Sequence, residues 1–161
     1  MVDNVNFIFE VIYMTEKENA IYRVREFTRF YMSSLSLLGN SYLGSEYSAT
    51  EARVLFEIYE NEGCNAAFIS KKMNIDKSYL SRIVKKHEKS GLLQRKASET
   101  DLRAYHLTLN ENGIAMTEDF IRKSNEQIRK RIRNLTGKDC RELTKALDTV
   151  TNMLSAMKTE E

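Results

Sequence analysis

The residues best suited to chemistry lie between Asp76 and Ser90. Ser78, Arg82, Lys85 and Lys89 recur at steps of four, three and four, with Ser81 at the edge of the same face. Leu80, Ile83, Val84 and His87 fall at i, i+3, i+4 and i+7 on the opposite face. A helix so built has an apolar back and a front of hydroxyls and cations. Such a rod suits the major groove of B-DNA, which is about 12 Å wide and admits one helix. Arginine can make a bidentate contact to guanine O6 and N7. Serine hydroxyls and a helix N-terminus hold phosphates. Arg82 is therefore the expected base reader, with Lys77, Ser78 and Ser81 near the helix start. Lys85 and Lys89 fall to phosphate or to no contact. Tyr79 either reaches a phosphate through its hydroxyl or packs at the edge of the module.

The flanking sequence supplies the elements that would aim this helix. Ser48 with Glu51 forms a capping box, opening a helix that buries Val54, Leu55 and Ile58 and ends near Asn61-Glu62-Gly63. Asn65 caps a short helix carrying Phe68, Ile69 and Met73. Asn74 tolerates the left-handed backbone of a tight turn. Asp76 caps the next helix, about Lys77 to Ser90, and Gly91 stops it. Two helices so joined make a helix-turn-helix. Runs at 92–97 and 104–109 then flank a polar tip, the pattern of a β-hairpin. The tip fits the neighbouring minor groove, where Arg103 would gain from focused negative potential. Asp101 reads as a brace for the tip or for Arg103, and equally as half of an ordinary surface pair.

Charge follows the same layout. Residues 64–106 hold ten Lys/Arg against four Asp/Glu, whereas residues 1–63 hold five against ten. A basic middle beside an acidic flank points to a local anionic partner, or to a solvated lysine-rich face. Outside the middle, Ile21, Val24, Thr28, Tyr31, Leu35, Leu38 and Tyr42 form a stripe near heptad spacing, widened by Phe27 and Phe30. Asn110 caps a long helix to about Asn134, with Ile114, Met116, Phe120, Ile121, Ile128 and Ile132. Thr136 and Asp139 box the start of a last helix with Leu143, Leu147, Val150, Leu154 and Met157. These end stripes offer more apolar surface than one small core covers, so they pair two copies or pack within one. Two recognition helices held about 34 Å apart would read a palindrome.

Several classes are excluded. With 30% charged and 42% hydrophobic residues the chain is a folded globular type, and no proline with only six glycines favours long helices over a β-barrel. No run of about 18 apolar residues spans a bilayer. The apolar start, Phe7 to Met14, lacks the basic leader of a secretory signal. Cys64 and Cys140 are far apart without a CxxC context, so neither a disulfide framework nor a zinc knuckle is expected, and a reducing cytoplasm is the simplest home. No HExxH, GxSxG, P-loop or GxGxxG motif occurs, so no enzyme, metal or cofactor is expected. His87 and His106 read as structural. Rival readings within this frame are a protein-interaction module without DNA binding, and redox sensing through Cys140 at a helix start or Cys64 before the helix-turn-helix.

The segments Asp76 to Val84, Glu88 to Leu93, Asp101-Leu102-Arg103 and Leu107 to Gly113 together resemble the MarR family of winged-helix regulators. The runs 24–31 and 48–55 are similar to a subgroup often fused to an acetyltransferase. The resemblance covers about residues 20–157. It implies a mainly α fold with a small β-wing, in which 48–113 form the winged helix-turn-helix and 1–47 and 114–161 supply dimerisation helices of a single domain. It also implies a homodimer, a two-fold operator in double-stranded DNA, and a small-molecule effector pocket; the expected role is that of a repressor, with activation the alternative. Phe27, Phe30, Tyr31 and Phe120 could line that pocket, although core packing explains them as well. The sequence departs from the family at Leu102, where many members carry a second arginine, and at His87, usually aliphatic. It ends before an acetyltransferase could begin, so that activity is not expected. Residues 1–13 match nothing in the family; they pack across the dimer or precede a start at Met14.

Overall fold

A computed structural model describes residues 15–35, 37–97 and 105–156. In chain order the described elements are α1 (Glu16–Ser34), α2 (Ala49–Glu60), α3 (Ala66–Met73), α4 (Lys77–Lys89), β1 (Leu93–Ala97), β2 (Tyr105–Leu109), α5 (Glu111–Ile132) and α6 (Gly137–Ala156). The chain divides into two compact units, residues 1–120 and 121–161.

The helix starts follow local chemistry. Ser48 Oγ accepts from the Glu51 N–H while Glu51 Oε2 accepts from the Ser48 N–H at 2.8 Å, closing the expected box. Asn65 caps α3 through Phe68 N–H. Asp76 Oδ1 accepts from both Ser78 and Tyr79 N–H groups at the start of α4. Those two bonds hold its carboxyl below the usual range. Asn74, between α3 and α4, has φ 51°, the left-handed turn expected there. Thr136 and Asp139 box the start of α6. Thr15 and Glu18 do the same for α1.

α1 is shorter than its sequence stripe. The expected face ran through Leu38 to Tyr42, but the helix ends at Ser34, with Leu35 as its C-cap. Leu38 is exposed off the helix, while Tyr42 packs against the core. Serines at 33, 34 and 36 supply no apolar anchor, and serine competes for backbone hydrogen bonds, so the stripe alone could not prolong the helix.

The core of the first unit joins Val54, Leu55 and Ile58 of α2 to Ile69 of α3, Leu80, Ile83 and Val84 of α4, and Leu93, Leu107 and Leu109 of the hairpin. It extends past the winged module in both directions, taking in Tyr47 before α2 and Phe120 of α5. The strands pair antiparallel with Leu93 opposite Leu109 and Ala97 opposite Tyr105. α5 is about 33 Å long at 1.5 Å per residue. In the second unit, α6 has no buried side chain among its described residues. No helix among the described residues is long and apolar enough to cross a membrane. No group of His, Cys, Asp or Glu among them could hold a metal ion.

Candidate nucleic-acid interface

α4 positions the candidate site because its two faces have opposite fates. Leu80, Ile83, Val84 and His87 are buried, which fixes the rotation of the helix about its axis. Lys77, Ser78, Ser81, Arg82 and Lys85 are thereby turned outward, and together they line one broad, open concavity. Lys89 is exposed on the same helix. The cap at Asp76 leaves the first turn of α4 ordered, with Lys77 and Ser78 at its lip.

The guanidinium of Arg82 lies 5.6 Å from the ring centroid of Tyr79, itself half-exposed. The ring face attracts the cation and limits its rotamers. Tyr79 is thus a platform for Arg82, a relation between the two alternatives of phosphate contact and edge packing. Asp76 also interacts electrostatically with Arg82.

Not every cation of the basic middle is available to a ligand. Lys86 Nζ pairs with Glu51 Oε1 at 2.9 Å, Lys72 Nζ with Glu57 Oε2 at 2.8 Å, and Arg95 with Glu88 at 3.2 Å. Lys77, Lys85 and Lys89 form no ion pair among the described residues. Of the described cations of this middle segment without an ion pair among the described residues, Lys77, Arg82, Lys85 and Lys89 lie on α4, and Lys71 and Lys96 lie elsewhere.

Behind this face lies a set of contacts that sequence reasoning missed. His87 Nε2 lies 3.0 Å from the Glu51 carbonyl, and its ring centroid is 5.2 Å from that of Tyr47. Lys86 Nζ sits 4.9 Å above the Tyr47 ring. Burial tends to raise the Glu51 carboxyl, but Lys86 and the Ser48 N–H hold it below its ordinary value. Glu57 is fully buried in α2 and answered by Arg53 and Lys72. Its only sequence signal was a carboxylate next to Ile58 on the apolar face, with Arg53 one turn earlier.

Of the other expected residues, Asp101 and Arg103, with the tip at 98–103, lie outside the described residues, as do Leu102, residues 1–13 and Met157. Phe27 and Tyr31 stack on one another and are exposed on α1, as is Phe30. Phe120 is elsewhere, buried against Tyr42 in the core. The four aromatics therefore do not share one environment. Burial pushes the Cys64 thiol up, which disfavours the thiolate that redox chemistry needs. Cys140 is half-buried in the first turn of α6. His106 Nδ1 lies 2.6 Å from the Gly63 carbonyl, a structural contact.

Residues 47–105 match the family model described as MarR family. No curated protein matches the chain at the sequence level. Among solved structures, a MarR transcriptional regulator from Methanosarcina mazei Go1 is 23% identical with a TM-score of 0.69, covering 82% of this chain and 99% of that one. A MarR mutant from E. coli complexed with operator DNA is 20% identical, TM-score 0.67, with 85% and 99% covered. Bordetella bronchiseptica BpsR, whose DNA binding is regulated by 6-hydroxynicotinic acid, is 16% identical, TM-score 0.65, with 81% and 98% covered. The fold is that of the winged-helix MarR regulators, mostly helical with a two-stranded antiparallel sheet.

Proposed function

We propose that this MarR-type winged helix acts as a homodimeric, sequence-specific regulator of transcription on double-stranded DNA. In this reading it is a cytoplasmic repressor that binds a palindromic operator and responds to a small molecule. The observation that carries it is the outward face of α4, where Lys77, Ser78, Ser81, Arg82 and Lys85 share one open concavity over a buried apolar back. Arg82, propped by Tyr79, reads a guanine; Lys77, Ser78 and Ser81 hold phosphates at the helix start; Lys85 adds a phosphate contact. Arg103 enters the adjacent minor groove, braced by Asp101. The exposed aromatic face of α1 (Phe27, Phe30 and Tyr31) would meet the effector, by analogy with the small-molecule control of BpsR.

Genomic fragments selected for binding give the operator, and substitutions then assign the roles. Arg82→Ala is expected to weaken operator binding by roughly 5- to 150-fold and to relax specificity at one base position. Arg82→Lys should not restore it, because an ammonium cannot replace a planar fork. Lys85→Gln should weaken all sequences alike and reduce the salt slope by about one. Unchanged operator affinity in Arg82→Ala sinks the proposal.

A further inference from the structure

Among the described residues three polar side chains are buried: Glu57, Thr117 and His87. Glu57 is answered by Arg53 and Lys72, and Thr117 Oγ1 donates to the Gly113 carbonyl at 2.7 Å. His87 is answered on one side only. A carbonyl accepts and cannot donate, so the 3.0 Å contact to the Glu51 oxygen places the proton of the neutral ring on Nε2. Nδ1 is buried with no hydrogen-bond partner among the described residues.

We propose that His87 is a proton-operated latch: protonation at Nδ1 frees the back of α4 from the first turn of α2 and so weakens the grip on duplex DNA in acid. This rests on the DNA-binding reading above. Among the described groups facing the ring only the Glu51 carboxylate attracts the new charge, and both its oxygens are already committed. From α2, Glu51 commits one carboxylate oxygen to the Ser48 N–H and the other to Lys86. From α4 itself, Lys86 is a like charge. The segment before α2 brings the Tyr47 ring, with Glu46 acting on Lys86. α3 and β1 also pack on α4 and bring no ionisable group into electrostatic contact with His87 among the described residues. An imidazolium here would be a buried charge with an unsatisfied N–H, so the ring must leave its seat.

The sign follows from linkage. Burial holds His87 below its ordinary value of about 6.5, so the closed form keeps the ring neutral. The released form binds the extra proton. Closure is therefore at its strongest above about pH 6.5 and weakens as pH falls below it, by at most about tenfold per pH unit for one proton, so affinity follows only where the released form is already close in free energy to the closed one.

The test uses the full chain and a labelled duplex recovered by selection at about pH 7.5. Wild type, His87→Leu, His87→Met and His106→Gln are titrated with it at about pH 7.5 and 5.5, with the His87 ring followed by NMR. Wild type and His106→Gln should lose more than about twofold and at most about tenfold in affinity per recognition helix, and the His87 variants less than about twofold. The His87 midpoint should match the affinity loss. Equal losses in all four proteins, or a His87 ring still neutral when affinity has gone, overturns the latch. Two substitutions guard against one that does not fold. If no protein binds at the higher pH, the DNA-binding reading fails instead. Hydrogen exchange of α4 amides then decides the latch, which requires their protection to fall with His87 protonation.

Discussion

Gly113→Ala is expected to destabilise the first unit by about 3 kcal/mol or more, lowering Tm by roughly 6–12 °C. Gly113 lies in the first turn of α5 and is buried. A Cβ there would stand 2.0 Å from the Leu92 carbonyl oxygen and 2.9 Å from its carbon. Those are backbone atoms that cannot swing aside. The Leu92 oxygen already accepts from the Asn110 N–H at 2.9 Å, and the Asn110 amide donates to the Gly91 carbonyl at 3.3 Å. The exit from α4, the start of the hairpin and the start of α5 thus meet at one point. Helix propensity favours alanine over glycine by about 1 kcal/mol, which is too small to offset the collision. Urea unfolding measures the loss. A stability equal to or above wild type would show that the close approach is not maintained in solution.

On the proposed homodimer, Leu147→Asp together with Val150→Asp is expected to convert the dimer to monomers and to reduce operator affinity at least about 100-fold. Leu143, Leu147, Val150 and Leu154 recur at steps of four, three and four along α6, and each remains roughly 40% exposed in a single copy. Ile21, Val24, Phe27 and Tyr31 are comparably open on α1. Fully covering an exposed leucine or valine side chain contributes about 1.5–3 kcal/mol, and with roughly 40% of each still open about 1 kcal/mol apiece remains to be gained, so several such groups sum to a driving force for association. A carboxylate in the seam reverses it, since burying an unpaired charge costs more than the methyls contribute. Light scattering reads the mass, and titration with half-site and full-site duplexes separates lost dimerisation from lost contact. A variant that stays dimeric with wild-type affinity removes the α6 stripe from the proposed dimer interface.

Much of this fold was legible because its signals are local. Ser48, Asn65, Asp76 and Thr136 each satisfy N–H groups within three residues, so their helix starts could be read without a partner element. The i, i+3, i+4, i+7 pattern of Leu80, Ile83, Val84 and His87 fixed the inward side of α4, and with it the outward side that carries Arg82. The end of α1 was not legible, because a periodic stripe records which side chains could share a face and says nothing of where the helix stops. Phe120 shows the same limit: an aromatic residue on a long helix suits a pocket or a core, and only its packing against Tyr42 separates the two.

By itself, then, the order of residues determined where most helices begin, which way α4 turns and where positive charge gathers along the chain, since each depends on neighbours within one or two turns. Tertiary structure alone decided that Lys86, Lys72 and Arg95 are tied to Glu51, Glu57 and Glu88, leaving other cations to face outward. It also decided that Gly113 has no room for a methyl group and that one nitrogen of His87 goes unanswered. These outcomes depend on distances between segments remote in the chain, which periodicity does not encode.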